Sequence, residues 1–267
     1  MPAAPSPLAA RLAMVIGHRG AAARAPENTM AGLRRAKALG CAWVEFDVRL
    51  TADGMPVLCH DSRLDRTTSG SGRVSDQTAA AVRRCDAGTW FAPAFAGEKV
   101  PTLDEALALA ADLDLGANIE IKSDRGREYA TAAAVAGAVA RLRDRIPSFA
   151  APALLVSSFL YPALAALQHL APQVPRGVLF RLVPRGWAQI ARRLGVVMIG
   201  ADHRRLRPRR IAAIRAAGYE LAAFTVNDPA RARRLFAWGV TSVFSDAPDT
   251  LIKVNAAYGA ARQGAIR

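Results

Sequence analysis

Two short stretches of this 267-residue chain carry charges among apolar neighbours: Val44-Glu45-Phe46-Asp47-Val48 and Asn118-Ile119-Glu120-Ile121-Lys122. In an extended chain successive side chains alternate between faces. Glu45 and Asp47 therefore point together, as do Glu120 and Lys122, while Val44, Phe46, Val48, Ile119 and Ile121 face apolar layers. Carboxylates in such strands are costly unless something offsets them, and one bound cation would do so for three at once. An all-oxygen ligand set suits hard cations such as Mg2+, Mn2+ or Ca2+. Gly17-His18-Arg19-Gly20 and Leu58-Cys59-His60-Asp61 add imidazoles near the ends of strand-like runs. Three acids, two histidines, one arginine and one lysine in this pattern point to a metal-assisted phosphoester site.

The blander reading of the Glu45/Asp47 pair is an exposed edge strand of alternating polarity. It does not explain why Glu120 and Lys122 repeat the pattern in a second buried-looking strand. Any single histidine is more often structural than catalytic. His169, at a polar helix position, keeps that reading. His18 and His60 each close an apolar strand, where barrel enzymes place reacting groups. His203 also follows a strand, but within a basic loop, and its role stays open.

The elements that must hold these groups alternate between strand and helix patterns, the signature of α/β folds with parallel strands. Strands are expected over 12–17, 42–50, 117–122, 153–157, 176–180, 196–200, 220–225 and 242–245, with an additional short strand over 56–59. Asn28 is expected to cap a helix ending at Leu39, before the stop signal Gly40. Further helices are expected over 103–113, 128–145, 161–170, 186–194, 208–217 and 230–238, with another at the C-terminus. About eight core strands at this repeat predict a TIM (β/α)8 barrel. An open doubly wound sheet is the second choice, but no glycine-rich nucleotide loop follows the first strand. The chain reads as a single domain over 1–267. An insertion over about 60–99, after the second barrel strand, carries turns and one short helix around 78–84.

Composition narrows the class. A hydrophobic fraction of 52% with 22% charged residues describes a globular chain, not a disordered one. The net charge of +14 invites a nucleic-acid reading. The arginines are scattered, however, and the densest cluster, Arg204 to Arg210, lacks interleaved aromatics for base stacking. A solvated basic surface that steers anionic substrates is expected instead. Cys41, Cys59 and Cys85 show no CxxC spacing, so neither a disulfide framework nor a zinc site is indicated. Met1 to Ala13 lacks the pattern of a signal peptide, and the Ala-rich run 130–140 is too short to span a bilayer. A reducing cytoplasm is the simplest compartment.

These motifs, in order, resemble those of the glycerophosphodiester phosphodiesterases, from roughly Val15 to Pro248. The resemblance is carried by His18-Arg19-Gly20, Pro26-Glu27-Asn28-Thr29, Glu45-Phe46-Asp47, Asp53-Gly54, His60-Asp61 and Leu64-Asp65-Arg66-Thr67-Thr68. Gly70-Ser71-Gly72, Ile119-Glu120-Ile121-Lys122, Thr225-Val226-Asn227 and Ser245-Asp246 extend it. It is nearest to the compact cytosolic bacterial members. The resemblance implies a TIM barrel in which Glu45, Asp47 and Glu120 bind one divalent cation, with Mg2+ favoured over Mn2+ or Ca2+. It implies that His18 and His60 form the acid/base pair and that Arg19 and Lys122 contact phosphate. Phe224 stands where many relatives carry tryptophan, which alters a wall of the substrate pocket. The reaction implied is hydrolysis of glycerophosphodiesters to sn-glycerol 3-phosphate and an alcohol, with either water or the substrate's own hydroxyl attacking. The expected partners are small-molecule glycerophosphodiesters, with no specific nucleic acid and no membrane insertion. A phospholipase D-like or phosphatidylinositol-specific lyase on the same fold is one alternative, and a catalytically dead anion-binding protein is another.

Overall fold

The computed structural model describes residues 12–145 and 154–253. The segment 1–11, the residue before Leu154 in the strand expected from 153, and any part of the expected C-terminal helix beyond 253 fall outside them. In chain order the elements are β1 (Val15–Gly17), α1 (Met30–Ala38), β2 (Trp43–Leu50), β3 (Pro56–Leu58), α2 (Ala79–Arg84) and α3 (Leu103–Asp112). Then follow β4 (Gly116–Ile121), α4 (Glu128–Arg145), β5 (Leu154–Ser158), α5 (Tyr161–Leu170), β6 (Arg176–Phe180) and α6 (Trp187–Arg193). The last are β7 (Met198–Asp202), α7 (Pro208–Ala216), β8 (Glu220–Phe224), α8 (Pro229–Ala237) and β9 (Ser242–Ser245), before a helix over 248–253.

Strand order is β1-β9-β8-β7-β6-β5-β4-β2-β3, and β1 also pairs with β2. All these pairs are parallel except β2–β3, so eight strands close into a TIM barrel and β3 returns antiparallel along β2. The strands are buried on both faces, as a sheet with helices outside and packed side chains inside requires. Outward-facing Val44, Phe46, Val48, Ile119 and Ile121 pack with Leu33 of α1 and with Leu103 and Leu107 of α3. Ile16, Trp43, Leu155, Leu179, Met198, Ala222 and Phe244 pack together in another cluster. Gly116 makes room for this packing: a Cβ there would lie 2.3 Å from the Trp43 ring.

One expectation needs correction. Thr29, not Asn28, caps α1, its hydroxyl accepting a hydrogen bond from Gly32 N at 3.1 Å. Asn28 sits one residue earlier with φ 56°, a left-handed conformation that asparagine tolerates. His60 follows the short apolar strand β3, as expected, and that strand lies outside the closed barrel. The β2–β3 hairpin doubles the chain back, so that Cys59 N donates to the Asp47 carbonyl at 3.0 Å and His60 returns to the level of the acids.

Between β3 and α3 the chain leaves the barrel rhythm, forming α2 and two 3-10 turns over a separate apolar cluster that includes Val57, Cys59, Leu64, Val74 and Val82. Arg83 of α2 grips Glu105, which also completes a capping box with Thr102 at the start of α3. The Arg83 hydrogen bond holds the Glu105 carboxyl down at about 2, against an ordinary 4.5. A depressed acid stabilises the fold above its ordinary pKa, and that contribution fades as pH falls from about 4.5 towards 2. Both partners are about two-fifths exposed, so solvent screens the pair. Glu105→Gln is expected to cost about 1 kcal/mol at pH 7, with the difference vanishing near pH 2. Urea titrations at a series of pH values check this; a difference independent of pH contradicts it.

Candidate active site

The register places Glu45 opposite Asn118 and Asp47 opposite Glu120 on adjacent parallel strands. Ligand-capable oxygens of Glu45, Asp47 and Glu120 lie within 4.8 Å of one another, all buried. Two cations accompany them. Lys122 Nζ contacts Glu120 closely and lies 3.4 Å from Asp47 Oδ1, while Arg19 Nε lies 3.3 Å from Asp47 Oδ2. Asn28 fixes Asp47 from a third side, donating from Nδ2 to Oδ2 at 3.0 Å and accepting from Asp47 N at 3.0 Å.

The charges are unevenly shared. Burial, reinforced by Asp47, pushes the Glu45 carboxyl up to about 8. Burial would raise Asp47 too, but Lys122 and Arg19 outweigh it and hold Asp47 low. Glu45 Oε1 has no hydrogen-bond partner. Three buried carboxyls with an unpartnered oxygen fit a divalent cation, and their all-oxygen chemistry suits a hard one. The expected triad is thus brought together.

The loop that presents His18 and Arg19 is built for close approach. Gly20, at φ +89°, rests on Gly32 of α1, and a Cβ there would come within 2.6 Å of the Gly32 carbonyl carbon. Arg19 itself has φ 50°, which lets its N–H donate to Glu45 Oε2 at 2.9 Å. His18 Nδ1 bonds Asp246 Oδ1 at 2.6 Å, leaving Nε2 3.8 Å from Glu45 Oε2. Asn227 Nδ2 in turn donates to Asp246 Oδ2 at 2.8 Å. Burial alone would lower the His18 pKa, but Asp246 and the field of Glu45 outweigh it, and the net shift is upward.

His60 is braced differently. Its Nδ1 bonds Asp61 Oδ1 at 2.6 Å, and Asp61 Oδ2 accepts from Arg66 Nε at 2.6 Å. Arg66 forks onto Glu27 at 2.7 and 2.9 Å, and Glu27 accepts from Arg19 at 2.8 Å. An unbroken chain of charged groups thus runs from His60 to Arg19. Burial, which Asp47 and Asp61 only partly counter, leaves the His60 pKa below its ordinary value.

One cavity of about 210 Å3 joins these groups: His18, Arg19, Glu45, His60, Glu120 and Lys122 line one part of its wall. Phe159 and Phe224, edge to face at 5.5 Å, form another part, with Lys122 over the Phe159 ring. Every residue singled out in the sequence for chemistry reaches this place, Asp47 lying just behind the wall. His169 is exposed on α5, away from it. His203 is held by Arg231, which donates to its ring and its carbonyl, and it does not line the cavity. The Cys41 and Cys59 thiols are buried and pushed up to about 12 by that burial, as expected of inert core residues.

Sequence reasoning gave no role to Asp246, Asn227, Asp61, Arg66 or Glu27, and only a helix-capping one to Asn28, although each lies within a motif quoted above. Asn118 was also passed over. It is 1% exposed on the face it shares with Glu120, lines the cavity, and has no hydrogen-bond partner on either amide atom. Arg181 and Asp202, beyond the apolar wall, add polar groups that the sequence gave no reason to place there.

Comparison with known proteins shows the family. The glycerophosphoryl diester phosphodiesterase family model matches residues 18–250. A glycerophosphodiester phosphodiesterase of Caldanaerobacter subterraneus subsp. tengcongensis is 33% identical over 243 residues, which cover 90% of this chain and 97% of that protein. Among solved structures, an Oleispira antarctica phosphodiesterase in complex with the product sn-glycerol-3-phosphate has a TM-score of 0.88 at 35% identity, covering 93% of this chain and 99% of that one. The glycerophosphodiester phosphodiesterase of Agrobacterium tumefaciens str. C58 follows at 0.75 and 30%, covering 90% and 99%. The chain belongs to the glycerophosphoryl diester phosphodiesterase family and is an enzyme of that class, a phosphoric diester hydrolase.

Proposed function

We propose that this enzyme hydrolyses deacylated glycerophosphodiesters to sn-glycerol 3-phosphate and an alcohol, with one divalent cation on Glu45, Asp47 and Glu120 and with His18 and His60 moving protons. The observation that carries the reading is the single cavity where two separately braced histidines meet the carboxyl triad, Arg19 and Lys122. The product bound by the Oleispira antarctica relative has the chemistry that this cavity would leave behind.

The cation, Mg2+ by preference, would supply positive charge beside the nonbridging oxygens of the phosphodiester. Arg19 and Lys122 offset the rest of that charge, and both are held in place by the acids behind them. Opposite pKa shifts favour opposite proton roles: His18, shifted up, donates to the leaving alkoxide, and His60, shifted down, accepts from the attacking hydroxyl. Asp246 and Asp61 each orient one imidazole through Nδ1, which leaves Nε2 for substrate. Asn118 is placed to hydrogen-bond a substrate hydroxyl. Residues 1–267 would act as one unit, the 60–99 segment supplying His60 and its brace. Unpaired cysteines suit a reducing compartment, and a cytoplasmic site of action belongs to the same reading.

A cavity of about 210 Å3 has room for a deacylated phosphodiester, whereas two long acyl chains would lie outside it. The alcohol side meets Phe159, Leu179 and Phe224 first, with Arg181 and Asp202 beyond them, and apolar walls discriminate by only about 1–3 kcal/mol. Turnover on glycerophospho-choline, -ethanolamine, -glycerol and -inositol is therefore expected to fall within about two orders of magnitude, with intact phosphatidyl lipids far slower. Coupled measurement of glycerol 3-phosphate release tests this. Preference for intact lipid, or release of phosphate monoester on the alcohol side, overturns the reading.

A further inference from the structure

Beside the cavity mouth, on the same end of the barrel, lies a groove of about 540 Å3 that the chemistry above does not use. Leu182 and Val183, just after β6, and Arg205, Arg207, Arg209 and Arg210, at the loop and first turn joining β7 to α7, line it. It abuts the site: Arg181 and Asp202, at the adjoining ends of the same strands, line the catalytic cavity. From Arg181 to Arg210 the sequence holds nine arginines and one acid, Asp202, and no lysine. None of the four groove arginines has an ion-pair partner among the described residues. Arg209 and Arg210 stand in the first turn of α7, where the helix field disfavours cations, so helix stability does not account for them. In their midst Leu182 is 62% exposed, the most exposed of the large apolar side chains in the described part.

We infer that this face docks on the anionic surface of a phospholipid bilayer, with the arginines on headgroup phosphates and Leu182 entering the headgroup layer. Charge complementarity calls for an anionic partner. The choice of a bilayer rests on the apolar component, which is aliphatic: Leu182, Val183 and Ala213 offer no aromatic platform on which bases could stack. Arginines near such a surface are drawn to its negative potential, and a single shallow leucine adds adhesion without insertion. The contact is peripheral and reversible. Among the described residues no helix is long and apolar enough to cross a membrane. Docking would hold the cavity mouth close to the surface where deacylated phosphodiesters are released, although adsorption itself does not depend on which phosphodiester is cleaved.

The test is co-sedimentation of the full chain with vesicles of pure phosphatidylcholine and with vesicles containing phosphatidylglycerol, at physiological salt. Binding to the anionic vesicles alone is expected, with release above about 0.5 M salt. Arg205→Glu/Arg209→Glu is expected to weaken it at least tenfold, and Leu182→Ser several-fold. Arg34→Glu/Arg35→Glu, the same charge change on exposed positions of α1, should leave most of it. All variants should keep wild-type turnover of soluble glycerophosphocholine, which shows that they fold. Equal losses in the two double variants would make the adsorption a property of net charge and overturn the proposal. So would equal binding to neutral vesicles, or retention of a DNA oligonucleotide without vesicle binding.

Discussion

Glu45→Gln is expected to lose at least about a hundredfold in turnover while the metal-free protein becomes no less stable. The two effects have one electrostatic origin. Without a cation, three buried carboxyls crowd within 4.8 Å, and Arg19 and Lys122 satisfy Asp47 and Glu120 better than Glu45. The amide is neutral without taking up the proton that the Glu45 carboxyl, pushed up to about 8, must bind in the metal-free site; it also retains an oxygen to accept from Arg19 N and keeps the volume of the side chain. It also removes a third of the carboxylate set that would hold a divalent ion. Wild-type protein stripped with EDTA should lose activity and regain it with Mg2+, Mn2+ or Ca2+, and the ion should raise its melting temperature. Binding only the folded state, a ligand at a hundred times its Kd adds about 2.7 kcal/mol. Glu45→Gln should show little of that rise. Full activity after exhaustive chelation, or an undiminished ion-dependent rise in the variant, would remove the metal from the account.

The same triad shows what can be read from sequence and what cannot. Alternation in β2 and β4 is a local property, so Val44 to Val48 and Asn118 to Lys122 announced which side chains share a face. Closing a barrel from eight repeats is likewise a matter of pattern. The bracing of the histidines is not, because Asp246 lies 228 positions from His18 and joins it only when β9 pairs with β1. Asn28 was misplaced for a different reason. Asn28 and Thr29 are both good helix caps by type, and only the left-handed turn decides that Thr29 caps α1 while Asn28 turns inward to Asp47. His60 also depended on a long-range detail, since a strand-end rule pointed to the right residue although its strand runs antiparallel to the barrel. Arg181 and Asp202 carry no motif at all, and their position follows from barrel closure alone.

The second large effect concerns proton transfer and can separate the two histidines. His60→Ala and His18→Ala are each expected to lose at least a hundredfold in turnover on glycerophosphocholine, with KM changing little. His169→Ala, exposed on α5, should match wild type. A substrate with a p-nitrophenolate leaving group then distinguishes the roles, because such a group departs without a proton. If His18 is the donor, its alanine variant should recover by at least tenfold on the aryl ester, whereas His60→Ala should remain as impaired as before. The braces predict smaller effects in the same directions. Asp61→Asn leaves His60 in place but breaks the charged chain through Arg66 and Glu27 to Arg19, so the mutation should lower turnover without restoring sensitivity to the leaving group. Asp246→Asn removes the partner that keeps His18 protonated, and its defect should shrink on the aryl ester as that of His18→Ala does. Equal recovery of both histidine variants would leave the donor and acceptor unassigned to these two side chains. A His60→Ala enzyme with most of its activity would move the base elsewhere, and His203, held away from the cavity by Arg231, would have to move to replace it.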